Sequence, residues 1–364
     1  MKVLMVDHWL PSQTYALELS RKLAEHVELT LLTNLYFEPE RESFQTLAVL
    51  ESKVKEKGMA SYLRGLARLY REAVLGNYDV IHIQTFKQPR FEIPAFQLAQ
   101  KRGKKLVYTA HNILPHEGAD QKEAELLKSW YRRCDAILVH NEHSRNVLLG
   151  FEPSIKEKVF VMPHGTYNDF AAFAQEKPHE KTVFLQFGMI RKYKGIDTLL
   201  KAASLLPEEA REKLSIVIAG NQRKELDDTD YRGMLEGYGL GDFVSLIPER
   251  IPDEQVPEFF NGSDCCLFPY KEIYGSGALL MAYSFRKPVI ASDIPTFREE
   301  TDGGKTGLLF QHEDAEALKD AMLRFLELGE AEKSAMRESI RDLCENKFSW
   351  AVSARTLADL YASL

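Results

Sequence analysis

Two short stretches carry residue types suited to holding an anion. In Phe187-Gly188-Met189-Ile190-Arg191-Lys192-Tyr193-Lys194-Gly195, glycines and cations follow an apolar run. A guanidinium can fork onto phosphate oxygens, and an ammonium supplies a compact charge. In the second stretch, Gly275-Ser276-Gly277 stands between the apolar run Cys265–Phe268 and a segment of helical spacing, Gly277–Phe285. A strand handing over to a helix aims free backbone N–H groups into the turn, with about half a positive charge from the macrodipole. Glycine lets a ligand approach the backbone closely. Those glycines alone would equally suit a tight turn; the cations at 187–195 favour a phosphate seat. A third loop, Ala219-Gly220-Asn221, also ends an apolar run.

Histidines form the other chemical group. His111-Asn112 and His140-Asn141 each close an apolar run. Imidazole donates and accepts hydrogen bonds near neutral pH, so His111 is a candidate to bond a ligand. His111, His116, His140, His143 and His164 also raise the question of a metal. There is no H-E-x-x-H and no carboxylate at ligand spacing, so no metal is expected.

The elements that must position these residues alternate. Strands are expected at 2–6, 27–32, 80–85, 106–110, 136–140 and 159–163, then at 183–187, 214–219, 243–247, 265–268, 288–291 and 307–310. Helix-length segments separate them, including 197–206 and 253–261. Near-continuous apolar strands alternating with helices imply parallel sheets covered on both faces, with ligands collecting beyond the C-terminal strand ends. The expected architecture is α/β, two tandem doubly wound Rossmann-like domains with an interdomain cleft. Residues 1–165 form the first domain, 166–181 a linker, 182–345 the second domain, and 346–364 a terminal helix. The loop His8-Trp9-Leu10-Pro11-Ser12-Gln13 lacks G-x-G-x-x-G, so dinucleotide binding is not expected. Residues 38–76 read as helical, with Lys53, Lys55, Lys57, Arg64, Arg68 and Arg71 beside Tyr62, Leu63, Leu66, Leu69 and Tyr70. A solvated helix packing on the sheet is the favoured reading. A basic amphipathic helix lying on an anionic membrane is the other.

Composition narrows the class. A chain of 364 residues exceeds what one core usually organises. Its 45% hydrophobic and 28% charged residues are those of an ordinary globular protein, and a net charge of −7 argues against a general nucleic-acid binder. No apolar run reaches the ~20 residues of a membrane span, and the opening residues are too soon broken for a secretory signal. The four cysteines have no pairing or metal spacing, which suits a reducing cytoplasm.

Several motifs then fall in one order: T-A-H-N at 109–112, M-P-H-G at 162–165, F-G-x-I-R-x-Y-K-G at 187–195, V-I-A-G at 217–220, P-Y-x-x-x-x-x-S-G-x-L at 269–279, P-V-I-A-S-D at 288–293, and Glu299 with Gly304-Lys305-Thr306-Gly307. With them the chain resembles, over essentially its whole length, the retaining GT-B glycosyltransferases of family four (glycosyl transferases group 1), in a bacterial polysaccharide-type branch. The resemblance implies metal-independent transfer of a hexose-type sugar from a nucleotide-diphosphate donor, a UDP-sugar foremost, to a glycan or lipid-linked acceptor. No other cofactor is expected. It assigns the donor diphosphate to Arg191 and Lys194, with Ser276 and Gly277 presenting backbone N–H groups. Catalytic roles fall to His111, Arg191 and Lys194. Gly220, Asn221, Arg250, Ile251 and Glu272 would flank the base and ribose. His111, Asn112 and His140 would serve the acceptor side, and the helix after Phe348-Ser349-Trp350 would cross back onto the first domain. The protein would work in the cytoplasm or at the inner face of the membrane. Where relatives carry two glutamates eight residues apart, this chain has Tyr274 and Ala282. The arginine usual after the glycine is Met189, and the N-terminal glycine-rich loop is Leu10-Pro11-Ser12-Gln13. The alternative reading is accordingly a non-catalytic sugar-nucleotide-binding partner of the same fold.

Overall fold

Short aliphatic runs make the strands of two sheets in the computed structural model, which describes residues 1–10, 14–38, 42–51, 58–114, 121–167, 170, 172–175 and 180–364. The first sheet holds β1 (Lys2–Val6), β2 (Glu28–Asn34), β3 (Gln45–Leu50), β4 (Val80–Ile83), β5 (Lys105–Thr109), β6 (Ala136–Val139) and β7 (Val159–Val161), in the order β3-β2-β1-β4-β5-β6-β7. The second holds β8 (Thr182–Phe187), β9 (Leu214–Ala219), β10 (Val244–Ile247), β11 (Cys265–Phe268), β12 (Val289–Ser292) and β13 (Gly307–Phe310), in the order β10-β9-β8-β11-β12-β13. Neighbouring strands pair parallel throughout.

Every residue of β4, β6, β11 and β12 is buried. A parallel strand covered by helices on both faces has no solvent side, so its sequence cannot alternate. In each sheet the strand order reverses beside the first strand: β1 lies between β2 and β4, and β8 between β9 and β11. Loops leaving the two strands at such a point part to opposite faces and open a crevice at the C-terminal ends. That geometry, and not any single strand, positions the candidate residues.

Met1–Gly165 together with Ser349–Leu364 form one compact unit, and Thr166–Phe348 the other. In the first unit the terminal helix Trp350–Ser363 joins the core beside the helix Tyr15–Leu23, sharing its apolar cluster through Trp350, Ala354, Leu357 and Tyr361. The Ser353 hydroxyl donates to Pro163 O at 2.8 Å.

Two expectations change. The stretch read as helical at 38–76 contains β3, because Gln45–Leu50 completes the hydrogen bonds of an otherwise open β2 edge. A helix follows only at Met59–Tyr70. The expected linker is held by the second unit: Thr166 N donates to Phe348 O at 2.8 Å, Tyr167 N to Ser284 Oγ at 2.9 Å, and Gln175 N to Asn261 Oδ1 at 2.8 Å. Pro11, Ser12, Gln13, Lys53, Lys55, Lys57 and His116 lie outside the described residues.

Trp350 is 2% exposed and anchors the returning helix. Trp350→Ala should lower stability by about 3–5 kcal/mol, the usual cost of emptying a large aromatic site. A fall in the urea midpoint at unchanged slope checks this, and an unaltered midpoint would show that the helix adds nothing to the first unit.

Candidate active site

In the second unit, β8 and β9 end side by side and their loops stay joined. Gly188 N donates to Ala219 O at 2.9 Å and Ile190 N to Asn221 O at 3.0 Å. Gly220, at φ 151°, could carry no side chain: a Cβ would fall 2.1 Å from Gly188 O. The β8 loop then makes one 3-10 turn, Lys192–Lys194, and ends at Gly195 with a left-handed φ of 66°. There the backbone presses against Pro269 O, 1.8 Å from where a Cβ would stand.

This close packing buries Lys194, which is 6% exposed. Its ammonium lies 5.2 Å from the Tyr270 ring centroid and donates a long hydrogen bond of 3.5 Å to Phe187 O. An ammonium has three N–H donors to satisfy. Burial, helped by the nearby Arg191 guanidinium, pushes its pKa down to about 8. Arg191 is half-buried and has no ion-pair partner among the described residues. Lys192 turns away to an exposed pair with Asp228 at 2.9 Å. Two like charges are thus held together where water is scarce, an arrangement that an anion relieves.

The helix Gly277–Ser284 begins beside them. The point where a Gly188 Cβ would stand is 3.0 Å from Lys194 Nζ and 3.9 Å from Ala278 Cβ. The Ser276 hydroxyl, expected among the ligand-facing groups, turns back and accepts from Leu279 N at 3.2 Å. Leu279 and Leu280 N–H also reach Ser276 O. Gly277 and Ala278 therefore supply the N–H groups left unpaired by the helix itself. Tyr167, not foreseen, covers this first turn: a Cβ at Gly277 would lie 2.7 Å from its hydroxyl.

Around the expected base site, Gly220 and Asn221 adjoin the cation loop as described. Gln222 Nε2 braces the β9 loop by donating to Asp227 O at 3.2 Å and Thr229 O at 2.8 Å. Arg250 and Glu272 are exposed on the loops leaving β10 and β11, and Ile251 packs against the core.

In the first unit, His111 and His140 meet at the C-terminal ends of β5 and β6. His111 Nδ1 is 3.3 Å from His140 Nε2, and His140 Nδ1 donates to Met162 O at 3.0 Å. His111 Nε2 is 3.1 Å from Gln84 Oε1, and Gln84 Nε2 is 3.2 Å from His82 Nε2. His82 Nδ1 reaches Tyr361 OH of the terminal helix at 2.5 Å. The Tyr15 ring stands edge-on to His111 and His164, with centroids 4.7 and 4.8 Å away. Burial lowers the pKa of His111, His140, His82 and His164, the last two to about 3. All are neutral near pH 7. Both ring nitrogens of His111 are engaged within the unit, so a ligand bond from this ring requires exchanging a partner. Asn112 is exposed, and Asn141 accepts from Ser144 N at 2.8 Å to cap the following helix.

Gln84, His82, Tyr15 and Tyr361 escaped the sequence reading. Gln84 alone carried a local signal, a polar residue one step past a strand's C-terminal end. Among the described residues no group of three His, Cys, Asp or Glu side chains converges as a metal site.

A family profile described as "Glycosyl transferases group 1" matches residues 168–342, and one described as "Glycosyltransferase Family 4" matches residues 12–169. A GDP-mannose:glycolipid 4-beta-D-mannosyltransferase of Xanthomonas campestris pv. campestris is 26% identical over 238 residues, covering 61% of this chain and 63% of that protein. A D-inositol 3-phosphate glycosyltransferase of Corynebacterium aurimucosum is 25% identical over 281 residues, covering 71% and 66%. The matched region thus spans less than two thirds of either relative's length. Among solved structures, sucrose-phosphate synthase from Thermosynechococcus elongatus superposes with TM-score 0.76 at 18% identity, covering 100% of this chain and 98% of that one. HepE of Anabaena in complex with UDP gives TM-score 0.77 at 15% identity, covering 100% of both chains. These likenesses carry the fold.

The buried ammonium yields a pH signature. Lys194 titrates near 8 when folded and near its ordinary 10.5 when unfolded. Between these values the unfolded chain holds more protons, so this group makes stability rise with pH across that window, and its penalty is whole below it. The stability of wild type minus that of Lys194→Met, measured in urea from pH 7.5 to 9.5, should climb by on the order of 1 kcal/mol per unit above pH 8. A flat difference would mean that Lys194 keeps its hydration.

Proposed function

The chain belongs to the glycosyltransferases of family four with the GT-B fold, and from that premise we propose that it transfers a sugar, with retention, from a nucleoside-diphosphate donor to a glycan or lipid-linked acceptor in surface polysaccharide synthesis. One observation carries the reading: Arg191 and Lys194 stand together without a carboxylate, next to the open N–H groups of Gly277 and Ala278. When the glycosidic bond breaks, negative charge grows on the leaving diphosphate. Fixed donors aimed at it stabilise that charge more in the transition state than before, which is what accelerates transfer. Lys194 at neutral pH is mainly protonated, and a diphosphate beside it would hold the proton more firmly. No metal is required by this arrangement, because two side-chain cations and a helix N-terminus supply the positive charge. The relatives' names supply GDP-mannose and glycolipid in one case and UDP in another, so guanine and uracil donors are the first to compare.

A peripheral membrane contact belongs to the same reading. No helix of the described residues is long and apolar enough to cross a membrane. The helix Met59–Tyr70 buries Tyr62, Gly65 and Leu69 and exposes Met59, Leu63 and Arg64. Arg68 is paired with Glu72 at 2.9 Å, whereas Arg71 is exposed. Tyr70 OH donates to Phe91 O at 3.1 Å and brings the exposed Phe91 beside this surface. Apolar tips flanked by free arginines suit an anionic lipid face, where an acceptor with a lipid anchor would be met.

Thermal melting with UDP, GDP, TDP and ADP, with and without magnesium, tests the donor site. One diphosphate should raise the melting temperature whether or not magnesium is present, by mass action on the native state, and Lys194→Ala should abolish the rise. Transfer by that variant should fall about 10²–10³-fold. Binding without any transfer would instead identify a non-catalytic partner, and no shift with any nucleotide would remove the donor reading. NMR of the product's anomeric proton separates retention from the β outcome named for the Xanthomonas relative. Sedimentation with anionic vesicles should be strong for wild type and weak for Arg64→Ala/Arg71→Ala; equal pelleting would end the membrane reading.

A further inference from the structure

The hydrogen-bond chain through His111 has a proton count that does not close in its neutral form. Met162 O can only accept, so His140 carries its proton on Nδ1. A neutral His140 then has a lone pair on Nε2, and His111 must meet it with Nδ1–H. A neutral His111 is left with a lone pair on Nε2, and 3.1 Å away stands Gln84 Oε1, a second acceptor. Two acceptors cannot share that contact without a proton.

Two arrangements resolve it. In one, the Gln84 amide makes a half turn, which its near-equal oxygen and nitrogen allow at little steric cost. Its NH₂ then donates to His111, its oxygen accepts from His82 Nε2–H, and Tyr361 OH donates to His82 Nδ1. Every donor points one way, from the terminal helix to the Met162 carbonyl. In the other, the amide stays and His111 Nε2 takes a proton. The His111–His140 pair becomes a monocation between two fixed acceptors, Gln84 NH₂ meets a lone pair on His82 Nε2, and His82 donates from Nδ1 to Tyr361. The Thr109 hydroxyl, 2.7 Å from His82 Nε2, rotates to suit either state.

The groups that face the pair are Tyr15 from the helix Tyr15–Leu23, His82 and Gln84 from β4 and its end, His164 after β7, and Trp350 and Tyr361 from the terminal helix. None carries a fixed charge. Burial among them favours the neutral chain, and an anion brought beside the ring would favour the cation. The two states differ by one proton and one amide turn, so they form a two-state element that ligand charge can bias.

We propose that Gln84 is a positioning residue for His111: its amide sets whether His111 Nε2 accepts or donates, and the His111–His140 pair takes one proton from solvent when the anionic donor binds and returns it when the diphosphate leaves. This rests on the sugar-transfer reading for the identity of the anion, while the amide-controlled tautomer stands independently of it.

Ring-nitrogen NMR of the full chain labelled with ¹⁵N-histidine tests both parts. Without nucleotide at pH 7.5, His111 and His140 should each be neutral Nδ1–H tautomers. Saturation with the nucleoside diphosphate that shifts the melting temperature should raise the His111 midpoint by about one pH unit or more. Gln84→Glu, whose carboxylate only accepts, should produce the protonated pair without nucleotide. Gln84→Met, which neither donates nor accepts, should leave a midpoint that no longer responds to nucleotide. A resting Nε2–H tautomer at His111 would overturn the proposal, as would a midpoint unmoved by both nucleotide and Gln84→Glu. If no nucleotide binds, the donor reading fails by melting temperature alone, and the Gln84→Glu comparison still decides the role of the amide. If that variant does not fold, the wild-type tautomers decide it.

Discussion

Repulsion between two cations that no carboxylate relieves sets the terms for the second unit. Lys194 cannot move away from Arg191, because Gly195 locks the turn against Pro269 and the joined β8 and β9 loops fix its other side. A flexible surface lysine would relax into solvent and keep its ordinary pKa. Here the backbone makes relaxation costly, and the folded protein stores an affinity for negative charge instead. The capped helix Gly277–Ser284 adds its N–H groups at the same place without bringing an acid. An anion site built this way is preorganised: its dipoles do not reorganise when charge develops, which is why such sites favour a leaving diphosphate over a neutral ligand.

The first unit solves the opposite problem. Four histidines are buried near one another, and burial holds them neutral, so their mutual repulsion is avoided by giving up charge. Neutral imidazoles must then find both a donor and an acceptor each, and the fold supplies these from β4, β5, β6, the β7 loop and the terminal helix. A buried polar network is stabilising only when every member is satisfied. That makes the returning helix a structural partner of the histidine group, since Tyr361 completes it.

Much of the architecture was legible in local sequence. Aliphatic runs such as Val289-Ile290-Ala291 can only be strands buried on both sides, and their alternation with helical spacing implied the doubly wound sheets. Arg191, Lys194 and the glycines of 275–277 announced an anion site by type and position. Errors arose where local signals were weak or ambiguous. Gln45–Leu50 joined a helical reading because its strand character depends on the edge of β2, a partner distant in sequence. Ser276 was read as facing a ligand, yet capping its own helix is the nearer and stronger use of that hydroxyl.

Sequence alone therefore determined the identity of the elements and the chemical types at the strand ends, because both follow from periodicity and from residues within a few positions of each other. Tertiary structure decided partners, tautomers and charge states. His82 and Tyr361 are 279 positions apart, and Gln84 and His111 are 27 apart. No spacing rule reaches across such distances. Lys194 resembles any surface lysine until Tyr270 and Gly188 close around it. Burial is a property of the whole unit, and the pKa of a side chain follows burial more than it follows its neighbours in the chain.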